Sequence, residues 1–333
     1  MKKMLKAGIS VLVICLSASV AEADMASRDI KMSNGLNADH PIGTGVAAMN
    51  ACLGSKSGGK VKVTPYWSHA LGSEQKSAQA VRAGLQEMII EPPSPLVGIE
   101  PALGVFDLPF LFKDAQQADA VLDGPFGGYI AEKMRPRGFE VLGFWENGFR
   151  HVTNSRRPIE TAEDLSGLRI RVMQNSVFLD TFDALGANAI PMAWGELFAA
   201  LETRTVDAEE NPIAIVDSAK FYEVQAYLSL TGHAYSPLMV SYSKTLWDQL
   251  SSEEQAMLRE CVAVGRDAER RDMRDRDAAT LKRLASSGMK INKLSPEALA
   301  KLREETASVY DKHAAEIGAD TIARLKDAQA AAE

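Results

Sequence analysis

The chain carries 333 residues, with 44 acidic against 37 basic side chains and a formal net charge of −7. That balance excludes nucleic acid and anionic membrane surfaces as electrostatic partners, so an anionic ligand has to be recognised locally, against a repelling field. With 46% hydrophobic residues the chain can bury a sizeable core, and its length suggests two lobes.

The first residues, MKKMLK, form a basic segment, residues 7–20 are apolar, and Ala21-Glu22-Ala23 supplies an A-x-A cleavage box. This pattern predicts a signal peptide over residues 1–23 and a soluble periplasmic protein, because the apolar run is too short and wrongly flanked to span a bilayer. Cys15 follows the bulky Ile14 where a lipobox wants a small residue, so acylation is not expected, nor is direct membrane insertion elsewhere. Removing the segment takes away Lys2, Lys3, Lys6 and Glu22 and moves the net charge from −7 to about −9. Cys52 and Cys261 then remain; in an oxidising compartment they either bridge or sit as two buried thiols, and the sequence leaves both open.

From there the pattern alternates between strand and helix. Residues 29–32 read as a strand, 41–53 as a helix, and 60–66 (KVKVTPY) as an alternating strand after a Gly-Gly turn. Ser73 stands as the N-cap of a helix through residue 82 that stops at Gly84, and residues 86–90 read as a buried strand. The Pro-broken apolar segment 106–112 precedes two helices near 115–122 and 127–134, then a strand over 139–145. Thr161 and Asp164 resemble a capping box, after which strand, helix, strand and helix follow over 168–172, 177–184, 187–191 and 195–203. Strand-like runs at 227–230 and 238–243 lead into a long helix, roughly 253–284. Its charges alternate in sign, with Asp267/Arg271 and Asp272/Arg276 at i,i+4 spacing, so it reads as solvated, and the tail from Pro296 reads as polar helix. No repeat or linker interrupts the chain. The predicted class is therefore α/β, two lobes between which the chain crosses more than once, with a ligand cleft at strand ends.

Chemistry concentrates between Gly167 and Pro212. Arg171 lies in a strand-like run with Leu168, Ile170 and Val172, where a guanidinium is tolerated only if something anionic meets it. The closing DAEENP places Asn211 at a strand-to-helix junction. An arginine fork with a positioned amide is a carboxylate receptor in outline, and lysine lacks the bidentate geometry. The bland alternative is that Arg171 pairs with a carboxylate on a neighbouring strand. Enzyme signatures are weak by comparison. S-x-x-K occurs at Ser73–Lys76 and Ser241–Lys244 without its companion motifs, and the five histidines show no metal spacing. A sugar-acid lyase or isomerase with Glu91 or His40 as base is the remaining rival.

The segments LGSEQ, FDLPFLF, NGFRHVTNSRRPI, EDLSGLRIRV, GANAIPMAWGELFAALETRTVDAEENP and KFYEVQAYLSLTGH occur in this order over nearly all of the chain after residue 23. Together they resemble the periplasmic solute-binding subunits of tripartite ATP-independent (TRAP) transporters, the DctP-like family. The resemblance implies two α/β lobes joined by crossing strands and a long spanning helix, closing on one organic acid for delivery to TRAP permease subunits. It implies no enzyme, cofactor or metal. Residue by residue, Arg171 matches the carboxylate clamp, Arg150 a more variable basic contact, Asn211 the assisting amide, Glu91 a polar cleft residue and Trp194 a packing aromatic. Asn37, in the loop after the first strand, and Glu74, in LGSEQ, complete the expected ligand set. The expected lobes are residues 24–147 with 236–265, and 148–235 with 266–333. A clamp facing a carboxylate acceptor suits a polyhydroxylated acid, a uronate or aldonate, with a C4-dicarboxylate or keto acid as the alternative. Relatives usually carry Gly where this chain has Ala208, which predicts a shifted turn before Asn211.

Overall fold

The structure is a computed structural model that describes residues 25–332; the expected signal segment lies outside the described residues. Nine strands form one mixed sheet: β1 (Arg28–Ser33), β2 (Val61–Tyr66), β3 (Met88–Glu91), β4 (Phe139–Asn154), β5 (Arg169–Val172), β6 (Asn188–Pro191), β7 (Ala208–Pro212), β8 (Tyr227–Ser243) and β9 (Lys290–Lys293). Their order is β2-β1-β3-β8-β4-β7-β5-β6, with β9 added on β8. Three short parallel strands thus flank each side of a central antiparallel pair, β4 and β8, which serves both lobes. Alternation along the strands sorts side chains onto two faces. Met88, Ile90, Leu238 and Val240 join one apolar cluster, while Ile89, Val141 and Met239 join another. In the other lobe Ile170 and Val172 pack with Phe178 and Phe182, so Arg171 between them faces the opposite side.

The two central strands are longer than the sequence pattern suggests: 16 and 17 residues, each an unbroken strand where the reading above expects shorter runs. Their middle sections are polar (Glu146, Asn147, His233, Ser236), which hides the alternation, yet all four side chains are buried. The β4–β8 ladder slips between Glu146 and Gly148, where Gly148 adopts φ 108° and the strand turns its following residues toward β7. Residue 208 raises no such difficulty. Ala208 lies in regular strand, paired with Asn154 and Ile170, and has no positive φ, so the expected shifted turn is not found.

The helix Ser252–Ser286 has 35 residues and runs along both lobes, about 52 Å at ~1.5 Å per residue. It is not solvated all round as expected. Met257, Leu258, Cys261 and Val262 enter the core of the first lobe and Leu284 that of the second. Asp272 and Arg276 do pair at 2.6 Å, but Asp267 pairs with its neighbour Arg266 instead of Arg271. Close approach to the helix Ile42–Ser57 depends on two glycines: a Cβ on Gly45 would lie 2.5 Å from the Trp145 ring, and one on Gly265 2.6 Å from it. The tail also departs from the expected grouping. Val309, Ile317 and Leu325 of the helices Ser308–Ile317 and Ala319–Ala331 pack with Phe106 and Phe126 of the first lobe. Apolar positions spaced along these otherwise polar helices are what carry them back.

Cys52 and Cys261 are bridged, joining the two helices at a Cα–Cα distance of 5.4 Å across a sequence separation of 209. A cross-link closing so long a loop restricts the unfolded chain strongly. Reduction, or Cys52→Ser with Cys261→Ser, is expected to cost about 2–5 kcal/mol, read as a lower melting temperature with unchanged far-UV circular dichroism.

Candidate ligand-binding site

A cavity opens where the two lobes meet, its non-atom space of about 520 Å³ including the solvent at its mouth. Six of the residues expected from sequence line it: Arg171, Arg150, Asn211, Glu91, Glu74 and Trp194.

Arg171 comes from the middle of β5 and is 2% exposed. Its Nε and Nη2 both donate to the carbonyl of Met192, at 3.0 and 2.8 Å. Among the described residues no carboxylate comes within 4.0 Å of it, although it is a buried cation. Burial lowers its pKa to about 10, with the charge of Glu210 offsetting part of the shift. A neighbouring-strand partner, the bland alternative for Arg171, is therefore not found.

Arg150 behaves oppositely. It is 1% exposed and its charge is already met: Nε and Nη2 grip the Glu210 carboxylate, and Nη2 also reaches Asn211 Oδ1 at 3.1 Å. Burial alone would raise the Glu210 carboxyl, yet Arg150 and His233 hold it below its ordinary value. Asn211 accepts from Arg150 and donates through Nδ2 to Glu209, so its amide is partly spoken for. The β4–β7 register creates this network by setting Arg150 opposite Pro212 and His151 opposite Asn211. Glu209 and Glu210 escaped the sequence reading although both stand in DAEENP, beside the Asn211 that it singled out.

The facing wall comes from the first lobe. Glu91 ends β3, is 3% exposed, and its Oε1 has no hydrogen-bond partner. Glu74 opens the helix Glu74–Arg82 and is 8% exposed. His69 Nε2 stands 3.6 Å from an oxygen of each, beyond hydrogen-bond length. Burial pushes Glu91 up to about 7 while His69 opposes the shift. These three are also, among the described residues, a group close enough to share a cation, with candidate ligand atoms within 4.8 Å of one another. Sequence reading missed His69 for lack of any spacing signal. Ser73 occupies the N-cap before Glu74, yet its side chain makes no capping bond.

Two residues tie the walls together. Trp194 Nε1 donates to the Gly35 carbonyl at 3.1 Å while its ring packs on Phe221. Asn37, expected at the ligand, does not line this cavity. Its Nδ2 donates to the Ser218 carbonyl at 2.8 Å, because the loop after β1 presents Gly35 and Leu36 to the cavity and turns Asn37 toward the other lobe.

A two-lobed α/β clamp with a buried, unpaired cation in its cleft is the architecture of a solute-binding protein. The profile of the bacterial extracellular solute-binding proteins, family 7 (DctP), matches residues 32–317, and the chain belongs to that family. It is thereby the periplasmic solute-binding component of a TRAP transporter, a family of transport proteins that present small organic acids to membrane permease components. The galactonate complex of the sugar acid binding protein DctPAm from Advenella mimigardefordensis superposes with a TM-score of 0.90 at 39% identity, covering 93% of this chain and all 100% of that one. The 2,3-diketo-L-gulonate-binding periplasmic protein YiaO of Escherichia coli is 43% identical over 209 residues, 63% of this chain and 64% of its own length. The C4-dicarboxylate-binding periplasmic protein DctP of Rhodobacter capsulatus is 30% identical over 307 residues, 90% and 91% of the two chains.

The two arginines are expected to differ in stability tests. Arg150→Ala strands the Glu210 charge and should cost roughly 3–5 kcal/mol in urea unfolding of the ligand-free protein, whereas Arg171→Met removes a buried unpaired cation and should cost little or raise stability. A second expectation concerns pH. Burial raises Glu91, Asp107, Glu146 and Glu209 to about 7 each. Each binds a proton more tightly folded than unfolded, so their contribution is greatest below their ordinary values and is lost as pH rises from about 4 to about 7. The ligand-free melting temperature should fall between pH 5.5 and 8, and Glu209→Gln should flatten that slope.

Proposed function

We propose that this protein captures a small organic acid by seating its carboxylate on Arg171, and that the acid is a sugar acid, a uronate or aldonate. The observation that carries the reading is the buried guanidinium of Arg171, turned into a cavity and held by a carbonyl oxygen instead of a carboxylate. A ligand carboxylate supplies the missing charge with the fork geometry that guanidinium favours. Asn147 and Gln174 of the same lining offer further polar contacts. Arg150 is already neutralised by Glu210, which leaves one free anion seat rather than two and supports a monocarboxylate over a C4-dicarboxylate. A neighbour at 39% identity is a sugar acid binding protein solved with galactonate, a relative at 43% is named for 2,3-diketo-L-gulonate, and two named for C4-dicarboxylates stand at 30% and 31%.

In this reading residues 25–147 with 236–265 form one lobe and 148–235 with 266–307 the other, and the last two helices join the first lobe. Arg171 and Asn211 come from one side, Glu74 and Glu91 from the other. A ligand touching both favours the closed state through its differential affinity, and closure presents the loaded protein to the permease. The Trp194–Gly35 and Asn37–Ser218 bonds act as the latch. The lyase or isomerase reading draws no support from His40, which is buried outside the cavity lining with Nδ1 accepting from the Ile42 amide.

The test is a thermal-shift screen of protein unfolded and refolded to strip ligand, against uronates, aldonates, C4-dicarboxylates and keto acids. A bound acid at about 1,000 times its dissociation constant should add ~4 kcal/mol and several degrees of melting temperature. Arg171→Ala should weaken that acid by about 2–5 kcal/mol, roughly 30- to several thousand-fold by calorimetry. No shift with any acid, or an affinity indifferent to Arg171, would overturn the assignment; an acid returned chemically altered would restore the enzyme reading.

A further inference from the structure

The cavity is chemically two-sided: Arg171 and Arg150 are the arginines of its lining, Arg150 is already paired to Glu210, and the wall from the first lobe carries Glu74 and Glu91. Glu91 is buried and lines the cavity, with Oε1 3.6 Å from His69 Nε2 and without a partner within hydrogen-bond length, and Glu74 lines the same wall. Their common neighbour, His69, sits 3.6 Å from both and belongs to the turn after β2. A Cβ on Gly35 would fall 2.5 Å from His69 Nε2, so the imidazole packs directly against the Gly35 backbone. Carboxylate oxygens accept hydrogen bonds, and a buried orphan acceptor carries a desolvation cost that a donor relieves. A ligand hydroxyl is such a donor, and an ionised carboxylate is not.

We propose that Glu91, with Glu74 and His69 beside it, is the specificity-determining end of the site: it accepts the hydroxyls of the ligand carbon farthest from Arg171 and rejects a ligand carrying a second carboxylate there. This rests on the reading of Arg171 as carboxylate seat. It divides aldonates, which end in a hydroxymethyl group, from the aldarates of identical chain length and hydroxyl stereochemistry. The relevant ligand pairs differ at one carbon only. The groups facing Glu91 are His69, Glu74 on the helix Glu74–Arg82, and the arginines of β4 and β5 across the cavity, of which Arg150 is paired to Glu210. Acidification protonates Glu91 and His69, and both changes favour a carboxylate at this end, so the discrimination should weaken at low pH.

The experiment measures, by calorimetry on the ligand-stripped protein, the affinities of galactonate against galactarate, gluconate against glucarate and erythronate against meso-tartrate. Wild type, Glu91→Gln and Glu74→Gln are compared at pH 8 and pH 5.5. Expected is an aldonate bound at least ~100-fold more tightly than its aldarate at pH 8, about 2.7 kcal/mol. Glu91→Gln, which keeps the shape and offers an amide donor, should narrow that ratio by at least ~10-fold, as should the lower pH. Glu74→Gln tests the same wall if Glu91→Gln fails to fold. Equal binding of both members of a pair by wild type, or a ratio untouched by either substitution, overturns the proposal while leaving the Arg171 reading intact. Aldarate binding that appears with added Zn²⁺ or Mn²⁺ and vanishes with chelator also overturns it, since the three side chains would then be a cation seat. Binding of succinate with no aldonate bound would instead sink the sugar-acid reading itself.

Discussion

A guanidinium held out of water without a counter-charge is the constraint around which this molecule is arranged. Arg171 sits between Ile170 and Val172, whose side chains anchor β5 in the apolar cluster, so it cannot retreat to solvent without unpacking the lobe. A single carbonyl satisfies part of the fork, and the lowered proton affinity records what burial costs. The neighbouring charges are kept from filling the gap. Glu210 is committed to Arg150 and His233, and Glu209 to Thr153 and Asn211. The second lobe therefore contains a buried cation that its own acids, bonded elsewhere, do not meet, and in the proposed reading an external anion meets it. Selectivity for a charged ligand in a chain of strongly negative net charge follows from this local arrangement rather than from the overall field.

The same geometry explains why the lobes share a sheet. β4 brings both Asn147 and Arg150 to the cavity, so part of the cleft is defined by where along one continuous strand the side chains fall. Ladder slips at Val141/Gly143, Glu146/Gly148 and Arg150/Val152 interrupt the pairing along β4, the last two beside Asn147 and Arg150 of the cavity lining, and a bulged strand bends where a regular one does not. The long helix lies along both lobes and is pinned through Arg270 and Arg274 by Asp119, Asp123 and Glu146. Rigid packing at both ends with irregular pairing in the middle is a sensible division of labour for a clamp.

Much of this was legible in the sequence because the short parallel strands and their helices obey ordinary periodicity, and because Arg171 and Asn211 occupy positions whose type is informative. The central strands were not legible in full: Glu146, Asn147, His233 and Ser236 are buried polar residues, and polar residues erase the alternation that reveals a strand. Asn37 was misplaced because a loop carries no period from which side-chain direction can be read. His69 was invisible for a related reason. Its neighbours Glu74 and Glu91 lie 5 and 22 positions away in sequence and meet it only through the turn after β2 and the pairing of β1 with β3. The exposed face of the long helix was read correctly as charged, but a glycine-mediated contact such as Gly45 against Gly265 leaves no apolar stripe to find.

The Cys52–Cys261 bridge has a consequence for how the chain comes to exist in its compartment. A polypeptide threaded across a membrane emerges from its N-terminus, and the first lobe is built from segments on both sides of the second: β3 pairs with β8, and the helix bearing Cys52 packs on the helix bearing Cys261. None of that lobe can be completed until most of the chain has arrived, because its long-range pairings have no early substitute. The covalent closure comes later still, where the surroundings are oxidising. The fold is thus assembled late by its own connectivity, which keeps the chain threadable for as long as threading is required and seals it only on the far side.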